Sequence, residues 1–539
     1  MTDEITLGAA NLLDRAGGHQ VGAGPRIKLT GPNQLARRFI HPPEFAWEPV
    51  GGAARYRISL AQDDRLVGVL ETDRPTAELA ELWPRIEAGP CRWIVQALDA
   101  DGGMLAHSVV FGFTRARPFT GAVAPARAGY AATARRNLEF LLSRTGLNNY
   151  DPGLPPYVWQ CTIDNDSNSV ARAEGHSRAF PAIHLPAAID CFLDYRRHAS
   201  DARLRDACLA EAKVVADWVI AHSTPPTDRY AYLPYQCVSD GRVGLHGGKP
   251  VDDPEQAGQN LVEPNKSGYM GVSFLHLHDA SGEERYLAAA RRIGQTLLTT
   301  QLPAGNWLYR VHATTGEARG EEYTSTVVFA LMLMDELERR QPDGTYREGR
   351  RRAEAWLLDN PLTTFRWENI FDDTRYVPNY ANTGNYDALF AGRYLLAHRD
   401  EDPRFLPLAE RLFRWVDDNF VLYGPDPWVP FRPHTPSVTE QWHYYWPMAG
   451  HNANWLLFLL RLHETTGREE YRQRAIGAAN VITQCALADG RTTTYVPDAL
   501  LGARAQRGAD DWFGDTFWSI SALLAAAERL EEPRVGSRG

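Results

Sequence analysis

A repeated phrase constrains this chain more than any other feature of its sequence. Each copy is a turn followed by a helix with an aromatic residue or Leu near its start and Ala-rich faces. The copies read SDARLRDACLAEA (200–212), GEERYLAAARRIG (282–294), EDPRFLPLAERLF (401–413) and GREEYRQRAIGAA (467–479), with a looser fifth, DGTYREGRRRAEAWL (343–357). Aligned on Leu204, Tyr286, Tyr346, Phe405 and Tyr471, they lie 82, 60, 59 and 66 residues apart. This recurrence predicts a fold of repeated helical hairpins.

A more apolar helix precedes each of these turns. These helices read FPAIHLPAAIDCFLDYRRH, GYMGVSFLHLHDA, TSTVVFALMLMDELERR, NYDALFAGRYLLAHRD and NANWLLFLLRLHETTG, and a sixth reads GDTFWSISALLAAAERL. With AATARRNLEFLLSR (131–144) as the first outer helix, there are six inner and six outer helices. Helices buried on every side are apolar all round, whereas outer helices are amphipathic. We therefore predict a mainly α fold, an (α/α)6 toroid, over residues 130–532.

Residues 39–118 follow a different period. The segments FAWEP, ARYRISLAQ, LVGVLET, CRWIVQALDADG and VVFGFTRARPF alternate apolar and polar residues between Gly, Pro and Asp turns. About seven short strands predict a small β-sandwich before the toroid. The order FAWEPV, ARYRISLAQ, CRWIVQALDADG resembles a fibronectin type III module. The other predicted segments are an N-terminal extension (1–38), a linker TGAVAPARAGY (119–129) and a tail (533–539).

Composition narrows the classes of partner. The formal net charge of −10 argues against nucleic acid, and no window approaches eighteen apolar residues, so no membrane span is predicted. Six scattered cysteines without a CxxC pair favour neither disulfides nor a zinc site and fit a reducing compartment. The first twenty residues show no signal peptide. We expect a cytoplasmic protein, although a secreted or periplasmic one trimmed of its signal would look the same.

The strand module followed by the helical repeat resembles the carbohydrate-active toroid enzymes, which include six-hairpin glycosidases and heparinase-like polysaccharide lyases. The likeness covers residues 39–532 and rests on architecture and repeat phrasing. It implies an enzyme that cleaves glycosidic bonds in a poly- or oligosaccharide, without a cofactor. One departure is that many toroid lyases continue into a large C-terminal β-sandwich, whereas this chain ends with its twelfth helix.

In the family fold, the inner helices start around the sugar-binding cavity, so the residues just before them are informative. They read RAEGHSRAF (172–180), EPNKSGYMG (263–271), GEEYTST (320–326), PNYANTGNYD (378–387), EQWHYYWPMAGHNANW (440–455) and ADDWFGDTFW (509–518). All six are more polar and aromatic than the helices they introduce. Helix capping and core packing are the alternative explanation. A sugar site explains the mixture through ring stacking and hydrogen bonds to hydroxyl groups.

Hydrolysis at such a rim would need two carboxyl groups across the scissile bond, one of them an acid with a raised pKa. The rim offers these candidates: Glu174, Glu263, Glu321, Glu322, Asp387, Glu440, Asp510, Asp511 and Asp515. Asp511 and Asp515 are four residues apart and would face the same side of a helix that begins early enough.

Elimination at a uronic acid would need groups that neutralise the sugar carboxylate and a Tyr or His that removes a proton. His443, Tyr444, Tyr445, His451 and Asn452 supply these types at one helix start. Asn382, Asn385 and Tyr386 face them from the previous repeat, and His176, Arg178 and Lys266 are candidates to hold the carboxylate. This richness in Asn, His and Tyr favours a uronate lyase, whereas the missing β-domain and the acidic balance favour a hydrolase. We expect the lyase, with the hydrolase as the alternative.

The expected site is therefore as follows. The catalytic candidates are His443, Tyr444, Tyr445, His451, Asn452, Asp511 and Asp515. The substrate-binding candidates are Glu174, His176, Arg178, Asn265, Lys266, Tyr269, Glu322, Tyr323, Asn382, Asn385, Tyr386, Trp446 and Trp512. A sugar epimerase and a non-catalytic glycan-binding protein remain alternatives. No metal is predicted, since the DNDSN stretch with Asp164 and Asp166 lacks the Gly of a calcium loop at its sixth position.

Overall fold

A computed structural model describes residues 27–31, 33, 36–63, 65–120, 122–143, 153–163, 178–239, 242–246, 258–320, 322–368, 383–423, 435–441, 444–497 and 511–531. The described part contains thirteen α-helices. They are α1 (Tyr130–Ser143), α2 (Pro181–His198), α3 (Ala202–Ala221), α4 (Pro264–Ser281), α5 (Glu284–Thr300), α6 (Val327–Arg340), α7 (Arg347–Asp359), α8 (Pro361–Thr364), α9 (Tyr386–Ala397), α10 (Phe405–Asn419), α11 (Ala449–Thr466), α12 (Glu469–Cys485) and α13 (Phe513–Arg529).

Six of these helices form a closed inner ring. Each inner helix packs on the next in the order α2, α4, α6, α9, α11, α13, and α13 packs on α2. Five inner helices also pack on the outer helix that follows them in sequence, whereas α13 packs on α1. The first and last long helices therefore form the sixth hairpin, and the ring closes as an (α/α)6 toroid.

Burial explains the division into inner and outer helices. Every residue of α4 from Pro264 to Leu275 is buried, because neighbours cover that helix on all sides. Two of the repeated turns contain a glycine that ends the inner helix. Gly282 and Gly467 adopt left-handed φ values of 71° and 68° and cap α4 and α11, a conformation that glycine adopts without a steric penalty.

The aromatic residue that recurs in the repeat joins neighbouring outer helices. The Tyr286 hydroxyl donates to Asp217 of α3 at 3.2 Å, and the Tyr471 hydroxyl donates to Glu410 of α10 at 3.3 Å. Their rings are fully buried. The repeated sequence therefore reflects the contacts between neighbouring outer helices.

Nine strands precede the helices: β1 (Leu29–Thr30), β2 (Arg38–Phe39), β3 (Glu44–Trp47), β4 (Arg55–Gln62), β5 (Arg65–Thr72), β6 (Thr76–Glu78), β7 (Gly89–Leu98), β8 (Met104–His107) and β9 (Phe111–Arg115). One sheet has the order β2-β9-β7-β4-β5, with β8 on β7, and the other has the order β1-β3-β6. A shared core contains Phe45 and Trp47 from the small sheet and Ile58, Trp93 and Phe113 from the large one. The likeness to a fibronectin type III module stays a prediction.

The sheets begin at Leu29, ahead of the expected boundary at residue 39. Leu29 pairs with Trp47 and Thr30 with Ala46. A strand of two residues is too short to show an alternating period, so its pairing is visible only in three dimensions.

Short strand pairs connect the loops of the helical ring. They are formed by β10 (Thr162–Ile163), β11 (Arg178–Ala179), β12 (Val238–Ser239), β13 (Arg242–Val243), β14 (Leu245–His246), β15 (Gly258–Gln259), β16 (Leu261–Val262), β17 (Val311–His312), β18 (Val421–Leu422), β19 (Ser437–Gln441), β20 (Tyr444–Pro447) and β21 (Asp511–Trp512). Several join segments far apart in sequence. For example, β10 pairs with β21, which binds the start of α13 to the loop before α2.

Polar contacts join the strand region to the outer helix α10. Glu44 accepts two hydrogen bonds from the Arg411 guanidinium at 2.8 and 2.7 Å. The His41 ring lies 2.8 Å from Asp417, and Asp418 accepts from the backbone N–H of Ile40 at 2.7 Å. We call these residues the junction.

Two further properties concern the whole chain. All six cysteines are free thiols, and five of them are buried. None of the described helices combines the length and the apolar character that crossing a bilayer would require.

Candidate functional site

The two ends of the ring differ in their connections. Turns of two to seven residues lead from an inner helix to the next outer helix, whereas every connection that leads into an inner helix exceeds twenty residues. Long loops in compact domains often carry function. We call the end where the inner helices begin the N-terminal mouth, and the opposite end the C-terminal mouth. The described residues of the predicted rim stretches lie at the N-terminal mouth.

A buried ion-pair cluster stands at the start of α4. Glu263 lies 2.7 Å from the Lys266 ammonium and 3.0 Å from the Arg310 guanidinium, and the three side chains are at most 2% exposed. The two cations stabilise the buried carboxylate, and the three side chains together carry one net positive charge. Lys266, a predicted binding residue, is therefore already engaged with Glu263.

A second chain of contacts joins α9, β19 and α11. The Asn385 amide nitrogen donates to the Thr439 carbonyl at 2.6 Å, and its oxygen lies 2.8 Å from His451 Nδ1. Since that amide oxygen can only accept, His451 Nδ1 carries the proton and Nε2 is the basic nitrogen. Nε2 lies 3.8 Å from Glu440. Burial lowers the pKa of His451 to about 3 and raises the pKa of Glu440 to about 8.

Two carboxyl groups lie where β21 meets α13, in different environments. Asp515 is 1% exposed; its Oδ1 accepts from the backbone N–H of Gly450 at 2.6 Å, and the Thr494 side chain also interacts with this carboxyl group. Burial is the main cause that raises the pKa of Asp515 to about 8, and the charges of Glu440 and Asp511 act in the same direction. Asp511, by contrast, forms an ion pair with Arg491 at 3.8 Å.

Asp387 is a third buried acid, in the first turn of α9. Burial raises its pKa to about 7, although Ser325 and the charge of Lys266 act against this rise. Its Oδ1 accepts from the backbone of Ala388 at 3.2 Å, and its Oδ2 has no partner. The N-terminal mouth thus holds three buried carboxyl groups whose pKa values burial raises to between about 7 and about 8.

An aromatic layer crosses the ring below these acids. It comprises Tyr269, Phe329, Tyr386, Phe390 and Trp518. Neighbouring ring centroids are 4.9 to 5.6 Å apart. Burial raises the pKa of both tyrosines far above the ordinary value, so their hydroxyl groups stay protonated.

Two amide side chains near α4 are buried without hydrogen bonds. Asn265 and Gln236 are each 1% exposed, and neither their oxygen nor their nitrogen has a partner. The Gln236 backbone donates to Leu261, just before α4. Buried amides without partners are costly, and sugar hydroxyl groups could supply both donors and acceptors.

Other predicted residues have the following contacts and exposure, and their predicted roles stay predictions. Asn452 accepts from the backbone of Val438 at 3.1 Å and donates to Met448 at 2.7 Å, so its amide holds β19 on α11. The Tyr323 hydroxyl donates to the Arg366 carbonyl at 2.7 Å, and Glu322 is exposed. Trp446 packs edge-on near Tyr495, and Trp512 lies beside His184.

Several predicted residues lie outside the described part. These are Asp164, Asp166, Glu174, His176, Glu321, Asn382, His443 and Asp510. Arg178, Tyr444 and Tyr445 are described only as members of β11 and β20. The roles predicted for all of them stay predictions.

The sequence analysis missed Arg310, Gln236 and Trp518 as individual candidates. Arg310 lies in a connection outside every quoted rim stretch. The alternation of apolar and polar residues in WLYRVH was the only feature of the nearby sequence that could have drawn attention to it. The sequence around Gln236 shows no pattern that would have marked this residue as a candidate. Trp518 lies at the end of a quoted stretch, but its place in the aromatic layer depends on the tertiary arrangement.

One described group has the geometry to hold a metal ion, namely His41, Asp417 and Asp418. It belongs to the junction rather than to the N-terminal mouth. Asp417 already forms an ion pair with Arg474 at 2.5 Å and accepts a hydrogen bond from the Tyr423 hydroxyl. These protein groups therefore already compensate the charge of the carboxylate.

No family model matches the sequence, and no curated protein matches it. Solved structures do share the fold. A family 76 glycoside hydrolase from a bovine Bacteroides thetaiotaomicron strain covers 94% of this chain and 99% of its own, at 9% identity and a TM-score of 0.51. A cellobiose 2-epimerase from Spirochaeta thermophila covers 74% of this chain and 96% of its own, at 11% identity and a TM-score of 0.53. A D-mannose isomerase covers 74% of this chain and 97% of its own, at 10% identity and a TM-score of 0.53. The prediction of an (α/α)6 toroid is confirmed.

Proposed function

We propose that the chain is a glycoside hydrolase that binds a neutral glycan at the N-terminal mouth, with Asp515 as general acid and Asp511 as the ionised partner. The observation that carries the proposal is the contrast between these two carboxyl groups. The pKa of Asp515 is raised to about 8, so it holds a proton near neutral pH, whereas Asp511 is ion-paired with Arg491. Glycoside hydrolysis needs one carboxyl group in each state.

The charges of the mouth favour a neutral sugar over a uronate. Lys266 and Arg310 are both engaged with Glu263, so a sugar carboxylate would have to compete with Glu263 for these two cations. Burial holds Tyr269 and Tyr386 protonated, which disfavours these two tyrosines as bases. Tyr444 and Tyr445, the tyrosines expected as bases from the sequence, are described only as members of β20. These points place hydrolysis ahead of the β-elimination expected from the sequence.

Sugar epimerisation is a second candidate, favoured by the pair His451 and Glu440. A neutral imidazole whose Nε2 is basic can accept a proton from a sugar carbon, and a protonated carboxyl group nearby can return one. The geometry that supports this role is the Nδ1 contact to Asn385 at 2.8 Å and the 3.8 Å separation of Nε2 from Glu440. Among the structural neighbours, one is named a cellobiose 2-epimerase.

The test is incubation with a panel of neutral and uronate oligosaccharides. New reducing ends, the ultraviolet absorbance of a conjugated double bond, and deuterium uptake from heavy water are measured in parallel. We expect new ends without the other two signals, and a loss of about 100- to 10,000-fold in kcat for Asp515→Asn. His451→Gln should stay within about tenfold of wild type, and Asp402→Asn, on an exposed turn, is the control.

An activated aryl glycoside sharpens the assignment, because its leaving group needs little protonation. Asp515→Asn should recover most of its rate on this substrate, whereas Asp511→Asn should not. Deuterium uptake without new ends, abolished by His451→Gln, would replace the proposal by epimerisation. New ends accompanied by the double-bond signal would replace it by elimination.

A further inference from the structure

A cavity opens at the C-terminal mouth, at the other end of the ring from the candidate active site. Its volume is about 460 Å³, and all six inner helices line it. Tyr269 and Phe390 of the aromatic layer line the cavity as well, so that layer lies between the two mouths. A volume of this size accommodates a small organic molecule.

Most charges around this cavity are already compensated. Asp190 lies 2.9 Å from His276 and accepts from Ser273 at 3.0 Å. Asp335 lies 3.0 Å from Arg350 and 3.3 Å from His398.

The remaining carboxylates leave little negative charge uncompensated inside the cavity. Asp194 pairs with Arg197, and Glu336 pairs with Arg339 and Arg340. Glu528 is exposed. The acids therefore do not make this cavity a site for a cation.

Arg393, which is half-buried, is the exception among the charges around the cavity. Its Nη2 reaches only the Asn454 amide oxygen, at 3.4 Å, and its guanidinium lies over the Phe390 ring at 4.0 Å from the centroid. Its Nε is buried without a hydrogen bond, and none of the described carboxylates forms an ion pair with it. Burial lowers the pKa of Arg393, whereas Tyr269, Tyr386 and the charge of Asp190 act in the opposite direction.

We propose that the cavity at the C-terminal mouth binds a small organic anion, with its carboxylate or phosphate group on Arg393 and its carbon skeleton against Tyr269, Phe390 and Leu457. A guanidinium matches the planar oxygens of both anion types. The anion would supply the counter-charge that the protein does not. The inner helices end at this mouth, and the negative ends of their dipoles oppose an anion, so the expected affinity is modest, with Kd on the order of millimolar.

The experiment is calorimetric titration of the full chain at low ionic strength with glucuronate, glucose 6-phosphate and neutral glucose. The glucuronate and phosphate arms distinguish a carboxylate from a phosphate ligand, and glucose measures binding that needs no charge. We expect at least one anion to bind wild type and to weaken at least tenfold in Arg393→Met. Arg351→Gln, which changes an exposed arginine outside the cavity that is paired with Glu348 at 2.7 Å, should bind as wild type does.

Arg393→Lys is the second variant, because it retains the positive charge and loses the planar guanidinium group that can donate to two oxygens at once. It should bind the same anion more weakly than wild type and more tightly than Arg393→Met; if Arg393→Met does not fold, the comparison of Arg393→Lys with wild type decides. Absence of anion binding to wild type, or equal binding by wild type and the Arg393 variants, would overturn the proposal. A purely structural role of Arg393 predicts lower melting temperatures for the variants and no effect of any anion on wild type.

Discussion

The raised pKa of Asp515 affects the stability of the fold as well as the proposed chemistry. The folded chain keeps its proton up to a pKa of about 8, whereas an unfolded chain would lose it near the ordinary value of about 4. Between these values unfolding releases a proton, so the contribution of Asp515 to stability falls as the pH rises. Below about pH 4 both states are protonated, and above about pH 8 both are ionised, so the contribution is constant there.

Asp515→Asn should therefore become more stable relative to wild type as the pH rises from 5 to 8, by about 1.4 kcal/mol for each pH unit at most. The amide oxygen preserves the acceptor for Gly450. The measurement is the difference in melting temperature between variant and wild type at pH 5, 6.5 and 8. Glu440 and Asp387 are present in both proteins, so their titration largely cancels. A difference that does not change with pH would contradict the assigned pKa.

For single residues, the sequence predicted which residue types lie at the mouth better than it predicted their hydrogen-bond partners. The polar starts of the inner helices pointed to Asp511, Asp515, His451 and Asn385, which the structure places at one mouth. The sequence could not show that Asn385 selects the tautomer of His451, or that Asn452 is occupied by backbone groups. Such assignments depend on neighbours from other hairpins.

Among the elements, α4 and α6 approach each other most tightly at Gly268. A Cβ atom at this position would overlap the backbone of Phe329, which cannot move aside as a flexible side chain can. Gly268→Ala should therefore destabilise the chain by about 1–3 kcal/mol and disturb Lys266 in the same turn.

Gly477→Ala in α12 is the matched control. Its Cβ would lie 3.4 Å from Val123 and 3.6 Å from Thr435, which is ordinary contact, so the better helix propensity of Ala should leave stability unchanged or raise it by up to about 1 kcal/mol. Thermal melts of both variants give the comparison. Equal effects of the two substitutions would show that helix propensity, and not the close approach, sets the cost at Gly268.

The helices were predictable because burial on all sides and burial on one side leave different patterns in the sequence. Tyr286 and Tyr471 recur because each must reach the preceding outer helix. The two-residue strands β10 and β21 left no such pattern, since their pairing is set by the ring that brings their loops together. The cavity at the C-terminal mouth was equally invisible, because Arg393 lies inside an otherwise apolar helix.

For the molecule as a whole, the junction makes the strand region and the ring depend on each other. Arg411 donates twice to Glu44, donates to the Leu362 carbonyl at 2.8 Å, and lies over Phe365. We expect one calorimetric transition in wild type. Arg411→Met should lower the melting temperature by a few degrees and separate a transition of the strand region, since about 1–3 kcal/mol of contact is lost.

Arg404→Met is the control for this prediction, because Arg404 is 67% exposed and pairs only with nearby Asp402. It should melt as wild type does. If Arg411→Met also melts as a single transition at the wild-type temperature, then the apolar contacts and the His41 network hold the two regions together without Arg411.

Closure of the ring by α1 and α13 also determines when the nascent chain can finish folding. The backbone N–H of Tyr130 donates to Glu531 at 2.9 Å across 401 positions. During synthesis α1 therefore leaves the ribosome long before the helix that covers Leu138 and Leu141, which are fully buried in the finished ring. An open row of hairpins could bury each unit as it appears, but this ring keeps an apolar face uncovered until its last helix arrives. Such late, long-range contacts slow folding and lengthen the exposure to aggregation.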